Sequence, residues 1–96
     1  MEDDQTVLET VSANVRARDA NDRIRDVLSK IEAEVVRAMH KHPGSNASRH
    51  HHYGVIAEEF REFETCVFKD FVPGGREEAI QVAATVVRFL LETPAK

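Results

Sequence analysis

The stretch IRDVLSKIEAEVVRAM, residues 24–39, decides the fold of this chain. Its apolar side chains recur at spacings of three and four residues, which is the period of one face of an α-helix. These positions are Ile24, Val27, Leu28, Ile31, Val35 and Met39. The helix should end before His42-Pro43-Gly44, because Pro restricts the residue before it and Gly suits a helix exit.

A second helical pattern precedes this stretch. Residues 5–18 carry Val7, Leu8, Val11 and Val15 on one face, which points roughly opposite to the face of residues 24–39. A break at Asp19-Ala20-Asn21-Asp22 would explain the change of direction, since Asp and Asn can cap a new helix. The pattern therefore predicts a short helix in an N-terminal extension, residues 1–20, followed by a helical domain, residues 21–93.

Two further helices are predicted downstream. Residues 43–49 are rich in loop-forming residues, and a third helix is expected from between His50 and Tyr53 to about Lys69. Pro73-Gly74-Gly75 predicts a turn, followed by a fourth helix to about Glu92. The predicted core stripe of the third helix is Ile56, Phe60, Phe63 and Val67. Glu77 and Glu78 are expected in the first turn of the fourth helix, where they suit its dipole.

The fourth helix has two apolar faces. One contains Ile80, Ala83, Ala84, Val87 and Leu91, and the other contains Val82, Val86 and Phe89. A helix that is apolar on two sides is buried on two sides, and in so short a chain another subunit is the simplest second partner. We therefore expect an all-α, antiparallel bundle of three to four helices that oligomerises through helix packing as a dimer or tetramer.

The length, charge and composition of the chain argue against several classes of function. The 96 residues suffice for one domain, and the net charge of -4 argues against general nucleic-acid binding. The lone Cys66 and the acidic N-terminus favour a reducing, cytoplasmic setting without a signal peptide. No apolar run is long enough to span a membrane.

Acidic side chains mark the last two helices. Glu59 and Glu62 project from one side of the third helix, and Glu78 and Gln81 do the same on the fourth. A short connection makes these helices antiparallel neighbours, so the two pairs could face each other and supply oxygen ligands for Mg²⁺. Alternatively, they form a solvated face, because like-charge pairs at this spacing cost only about 0.2–0.5 kcal/mol each.

A family resemblance adds to this pattern. Lys41-His42-Pro43, Ser48-Arg49-His50 and the stretch YGVIAEEFREF, residues 53–63, resemble small members of the MazG-like superfamily of all-α nucleoside triphosphate pyrophosphohydrolases. The stretch EEAIQVAA, residues 77–84, is similar to the second half of the same pattern. The resemblance covers about residues 22–92. The superfamily's pattern is Glu-x-x-Glu on one helix and Glu-x-x-Asp on the next, and Gln81 stands where Asp is expected.

The resemblance implies an activity and a set of roles. A nucleoside triphosphate would be cleaved to a monophosphate and pyrophosphate, with Mg²⁺ bound by Glu59, Glu62, Glu78 and the amide oxygen of Gln81. Glu58 or Glu62 would act as general base. Phosphate contacts are expected from among Arg49, Lys69, Arg76 and Arg88, with Lys69 and Arg88 preferred.

Two other functions stay open on the sequence alone. Gln81 brings no charge to the acidic group, so the chain could be a catalytically silent helical module that acts by partner binding or self-assembly. The run His50-His51-His52, with His40 and His42, could bind a transition metal. However, consecutive histidines on a helix point in different directions, which disfavours a shared ion.

Overall fold

The computed structural model describes residues 3–44 and 48–94 of the chain, which form three helices and, within those ranges, no strand. Helix α1 spans Asp4–Lys41, α2 spans Arg49–Phe68 and α3 spans Val72–Glu92. The predicted all-α class is confirmed. The predicted end of the helix that carries residues 24–39 is confirmed as well, because α1 stops directly before His42.

The break predicted at residues 19–22 is wrong. Helix α1 is continuous for 38 residues, and the boundary predicted between residues 20 and 21 falls inside it. Asp3 caps its start by accepting a hydrogen bond of 2.8 Å from the backbone N–H of Thr6. Asp and Asn inside a helix cost only about 0.7 kcal/mol relative to Ala. That cost is too small to interrupt a helix at a solvent-exposed site.

Helix α2 begins one residue before the predicted range. Ser48 is its N-cap, with the side-chain oxygen accepting from the backbone N–H of His51 at 3.1 Å. Pro43, Gly44 and Ser48 of the predicted loop lie outside the helices, Arg49 is already the first residue of α2, and residues 45–47 lie outside the described residues.

The turn predicted at Pro73-Gly74-Gly75 lies elsewhere. These residues form the first turn of α3, with Pro at its start, where the missing backbone N–H has no consequence. The chain reverses instead at residues 69–71, where Asp70 adopts a left-handed conformation with φ 54°. As a result, Glu77 and Glu78 lie in the second turn of α3 and not in its first, so the predicted interaction with the helix dipole is weakened.

Helix α3 packs against both α2 and α1. The Phe89 ring meets His52 of α2 edge-on at a centroid distance of 5.4 Å, and Arg88 bonds to the last turn of α1. The two-sided character of this helix thus has a cause within the chain. The two apolar faces of α3 therefore do not require a second subunit.

The buried core is small. Val35 and Ala84 are the buried apolar residues and His52 the buried polar one among the described residues. Phe60 and Val67, predicted in the core stripe of the α2 region, are each 51% exposed. None of the three helices combines the length and apolarity needed to cross a bilayer within the described ranges.

Candidate functional site

Three carboxylates converge between α2 and α3. Glu59 and Glu62 are one helical turn apart on α2, and the tight reversal at residues 69–71 brings Glu78 of α3 opposite them. One carboxylate oxygen from each of the three lies within 4.8 Å of the others. The convergence predicted from the sequence is therefore present for these three side chains.

Glu59 is the most perturbed member of this group. Burial first, and then the negative charges of Glu62 and Glu78, raise the pKa of Glu59 from its ordinary 4.5 to about 7. The negative charge of Glu58 raises it further in the same direction. At neutral pH the carboxylate is thus divided between its protonated and ionised forms.

The carboxylate of Glu78 is perturbed in the same direction as that of Glu59. Burial, followed by the charge of Glu62, raises the pKa of Glu78 above its ordinary value. Its Oε2 atom is buried and accepts no hydrogen bond from the described residues. A buried carboxylate oxygen without a donor is costly, and a proton or a bound cation would relieve that cost.

Glu58 and Gln81 occupy different positions around this group. Glu58 is exposed and does not belong to the converging carboxylates, although its charge acts on Glu59. Gln81 lies one turn after Glu78 on α3 and, with Glu59, lines a cavity between the helices. Its amide can offer a carbonyl oxygen but no charge.

That cavity adjoins the carboxylates and has a volume of about 500 Å³. Its α1 wall contains the acidic Glu34 beside the basic residues Arg37 and Lys41, α2 contributes His51 and His52, and α3 contributes Thr85. Arg37 donates from Nε to Glu34 at 3.0 Å, and this guanidinium holds the pKa of Glu34 below its usual value. A polar cavity of this size can accommodate a small molecule.

Arg88 also lines the cavity, but its donors are engaged. Its Nε bonds to Glu92 at 2.6 Å, and its Nη2 bonds to the backbone oxygen of His42 at 2.8 Å and to that of Gly44. A weaker contact of 3.5 Å joins Nη1 to the oxygen of Ala38. These carbonyls lie at and just beyond the C-terminal end of α1, where helices leave acceptors unpaired. Arg88 therefore ties α3 to the end of α1.

The remaining phosphate-binding candidates do not line the cavity. Lys69 is the C-cap of α2, is exposed and does not line the cavity; Arg49 and Arg76 are exposed and do not line it either. The histidines do not form a group of three metal ligands within residues 3–44 and 48–94, where the three carboxylates are the group with suitable geometry. His52 instead packs against Phe89 in the core.

Comparison of the chain with models of protein families, with curated proteins and with solved structures found no match. The MazG-like resemblance thus stays a prediction that depends on the motifs quoted above.

Sequence reasoning missed the basic wall of the cavity. Arg37 and Lys41 are spaced i, i+4, so they lie on one side of α1, next to the stripe that contains Val35. That spacing was the available signal. What the sequence did not show is that the end of α1 packs beside α3, which places this side of α1 at the cavity.

Proposed function

We propose that this chain is a MazG-like, Mg²⁺-dependent nucleoside triphosphate pyrophosphohydrolase that releases a nucleoside monophosphate and pyrophosphate. The observation that carries the proposal is the convergence of Glu59, Glu62 and Glu78 from two helices to within 4.8 Å. A helix pair gains nothing from holding three like charges together unless a proton or a cation compensates them.

The donor set suits a hard divalent cation. Mg²⁺ prefers oxygen ligands and binds commonly through a few carboxylates, waters and substrate phosphates. Glu59, Glu62 and Glu78 supply the carboxylates, the unpartnered Oε2 of Glu78 is one available ligand atom, and Gln81 could add an amide oxygen. When bound, Mg²⁺ would neutralise phosphate charge and lower the pKa of a coordinated water.

The cavity next to the carboxylates favours a phosphorylated substrate. Glu59 and Gln81 line it on the side of the carboxylates, and Lys41 supplies positive charge on the α1 wall. A nucleoside triphosphate in this cavity would place its phosphates between the carboxylate group and Lys41. Because the Arg88 donors are committed to backbone carbonyls, we assign Arg88 to holding this cavity together rather than to binding phosphate directly. Lys69 is the C-cap of α2 and does not line this cavity, so we propose no phosphate contact for it here.

Proton transfer would fall to Glu58 or to Glu62, the latter also a candidate ligand of Mg²⁺. Glu62 and Glu58 are exposed, so either could accept a proton from an attacking water. Glu62 is the better placed of the two, because it belongs to the converging group whereas Glu58 does not.

Pyrophosphate release from a panel of nucleoside and deoxynucleoside triphosphates tests the proposal. We expect release that requires Mg²⁺ and that falls at least a hundredfold in Glu59→Gln. Glu64→Gln is the matched control, because Glu64 is an exposed carboxylate of α2 outside the group. Turnover that survives in Glu59→Gln, or no turnover of any nucleotide, would reject this function.

A second candidate function is a catalytically silent helical module that acts by partner binding or self-assembly in the cytoplasm, as a dimer or tetramer. Two observations favour it: Gln81 is uncharged, and large apolar side chains are exposed along all three helices. The Gln81→Asp variant separates the two candidates. If the natural chain is silent and this one change creates hydrolysis, the chain is a degenerate relative; hydrolysis by the natural chain removes the silent module.

A further inference from the structure

The N-terminal part of α1 extends beyond the rest of the molecule. At about 1.5 Å per residue, the 38 residues of α1 reach roughly 57 Å, whereas α2 and α3 reach about 30 Å each. The contacts of Arg88 with α1 lie at its C-terminal end, at Ala38 and His42. From Asp4 to Lys30 no residue is buried, and only Ala20 is even half-buried.

This overhang carries an apolar stripe that does not face α3. Because α1 is continuous, a step of 100° per residue applies along its whole length. The stripe of residues 7–15 then points on average about 135° around the helix axis from Val35, which is buried where α1 contacts α3. Its members are 45% to 62% exposed, namely Val7, Leu8, Val11 and Val15.

The exposed area of the chain is too large for a compact monomer. The accessible surface is 7839 Å², whereas a compact monomer of 10.8 kDa should expose roughly 5,500 Å². The radius of gyration is 19.2 Å, compared with about 12–13 Å for a compact domain of this length. The excess area, roughly 2,300 Å², is similar to what one subunit of a large obligate homodimer buries, about 1,000–2,500 Å².

We propose that the overhang of α1 pairs with the same segment of a second copy, antiparallel and centred on Val11. Asp4, Val7, Val11, Val15 and Arg18 are spaced 3, 4, 4 and 3, which keeps them on one face of the helix as a seam. In the antiparallel arrangement this seam is self-complementary, with Val7 opposite Val15 of the second copy, as a two-fold interface requires.

Charge fixes the direction of the pairing. With Val11 opposite its own equivalent, Asp4 lies opposite Arg18 of the second copy at both ends of the seam. A parallel pair would instead bring together two N-termini, each with Asp3 and Asp4, and two positive helix ends. This surface is independent of the carboxylate group, so the pairing can be correct whether or not the chain hydrolyses nucleotides.

Sedimentation equilibrium of the full chain tests the surface. The natural protein should have twice its chain mass of 10.8 kDa at micromolar concentration. Val11→Glu should weaken the dimer at least tenfold. Ser12→Glu introduces the same charge one residue away, off the stripe, and should leave the dimer intact. A monomeric natural protein, or equal weakening by both variants, would overturn the proposal.

Disulfide cross-linking tests whether the two α1 helices are antiparallel, and it does not depend on a destabilising variant. In a Cys66→Ala background, Val11→Cys should form a cross-linked dimer on oxidation. Val7→Cys should cross-link when mixed with Val15→Cys but not with itself, because residues 7 and 15 face each other only in the antiparallel pair. Efficient cross-linking of Val7→Cys with itself would show a parallel pair and overturn the antiparallel geometry.

Discussion

At the residue scale, the chemistry of this chain concentrates on Glu59. Its carboxylate is half-buried, shares its surroundings with Glu62 and Glu78, and has its pKa raised to about 7. The sequence predicted these three residues together, because the i, i+3 spacing and the short connection to α3 are both local features. It could not predict the magnitude of the effect on Glu59, which depends on burial.

The raised pKa predicts a pH-dependent stability. In the unfolded chain Glu59 titrates near its ordinary 4.5, and in the folded chain near 7. Between these values the folded state binds more protons, so the free energy of unfolding should fall as pH rises from about 4.5 to 7 and level off above it. The shift corresponds to at most about 3 kcal/mol, reduced by the partial exposure of the site.

Chemical denaturation at several pH values measures this effect. Glu59→Gln should be more stable than the natural chain at pH 8 and should have a flatter profile between pH 5 and 7. Glu78 has its pKa raised as well, so part of the slope should persist in the variant. Parallel profiles for the natural chain and Glu59→Gln would contradict the assigned electrostatics.

The contacts of Arg88 lead to a prediction about stability. Its guanidinium joins Glu92 to the backbone carbonyls of His42 and Gly44, and the Arg88 and Glu92 side chains are only 12% and 11% exposed. Removing the charge in Arg88→Gln takes the guanidinium away from Glu92 and from these carbonyls, at a cost of roughly 2–4 kcal/mol. Chemical denaturation of Arg88→Gln measures this loss of stability. Arg76→Gln, which changes an exposed arginine of α3, is the control. Equal stability of the two variants would show that the contacts of Arg88 contribute little.

At the element scale, α1 shows both what the sequence could predict and what it could not. Its helical periodicity and its end at Lys41 were evident from residues 24–39 and from Pro43. The reversal of the apolar stripe was interpreted as a break, but α1 is one continuous helix through residues 19–22. The spacing of apolar residues indicates which side of a helix is apolar, but it does not indicate how many partners the helix has.

The start of α3 offers a matched pair of substitutions. A Cβ on Gly74 would lie 2.5 Å from Cδ1 of Phe71 and 3.2 Å from Sγ of Cys66, whereas a Cβ on Gly75 would lie 3.9 Å from Cβ of Cys66. Both glycines are helical, so Ala should gain about 0.5–1 kcal/mol from helix propensity at either position. At Gly74 that gain is offset by crowding of about 1–3 kcal/mol.

We therefore expect Gly75→Ala to stabilise the chain and Gly74→Ala to be less stable than Gly75→Ala by about 1–3 kcal/mol. Urea denaturation of both variants measures the difference. If Gly74→Ala were at least as stable as Gly75→Ala, the close approach of Phe71 and Cys66 to Gly74 would be wrong.

At the scale of the whole molecule, the three helices form a small bundle with a long overhang. The all-α class and the α2–α3 pairing were predictable because they depend on periodicity and on a short connection. The placement of α1 beside α3 was not, since it brings together residues more than forty apart, such as Arg88 and His42. The basic wall of the cavity was missed for this reason.

The central claim is that the carboxylates between α2 and α3 bind a divalent cation. Calorimetric titration of Mg²⁺ into the natural chain at pH 8, where Glu59 is ionised, tests it most directly. We expect one saturable site per chain, weakened at least tenfold in Glu59→Gln and retained in Glu64→Gln. Absence of saturable binding by the natural chain, or equal binding by Glu59→Gln, would contradict it.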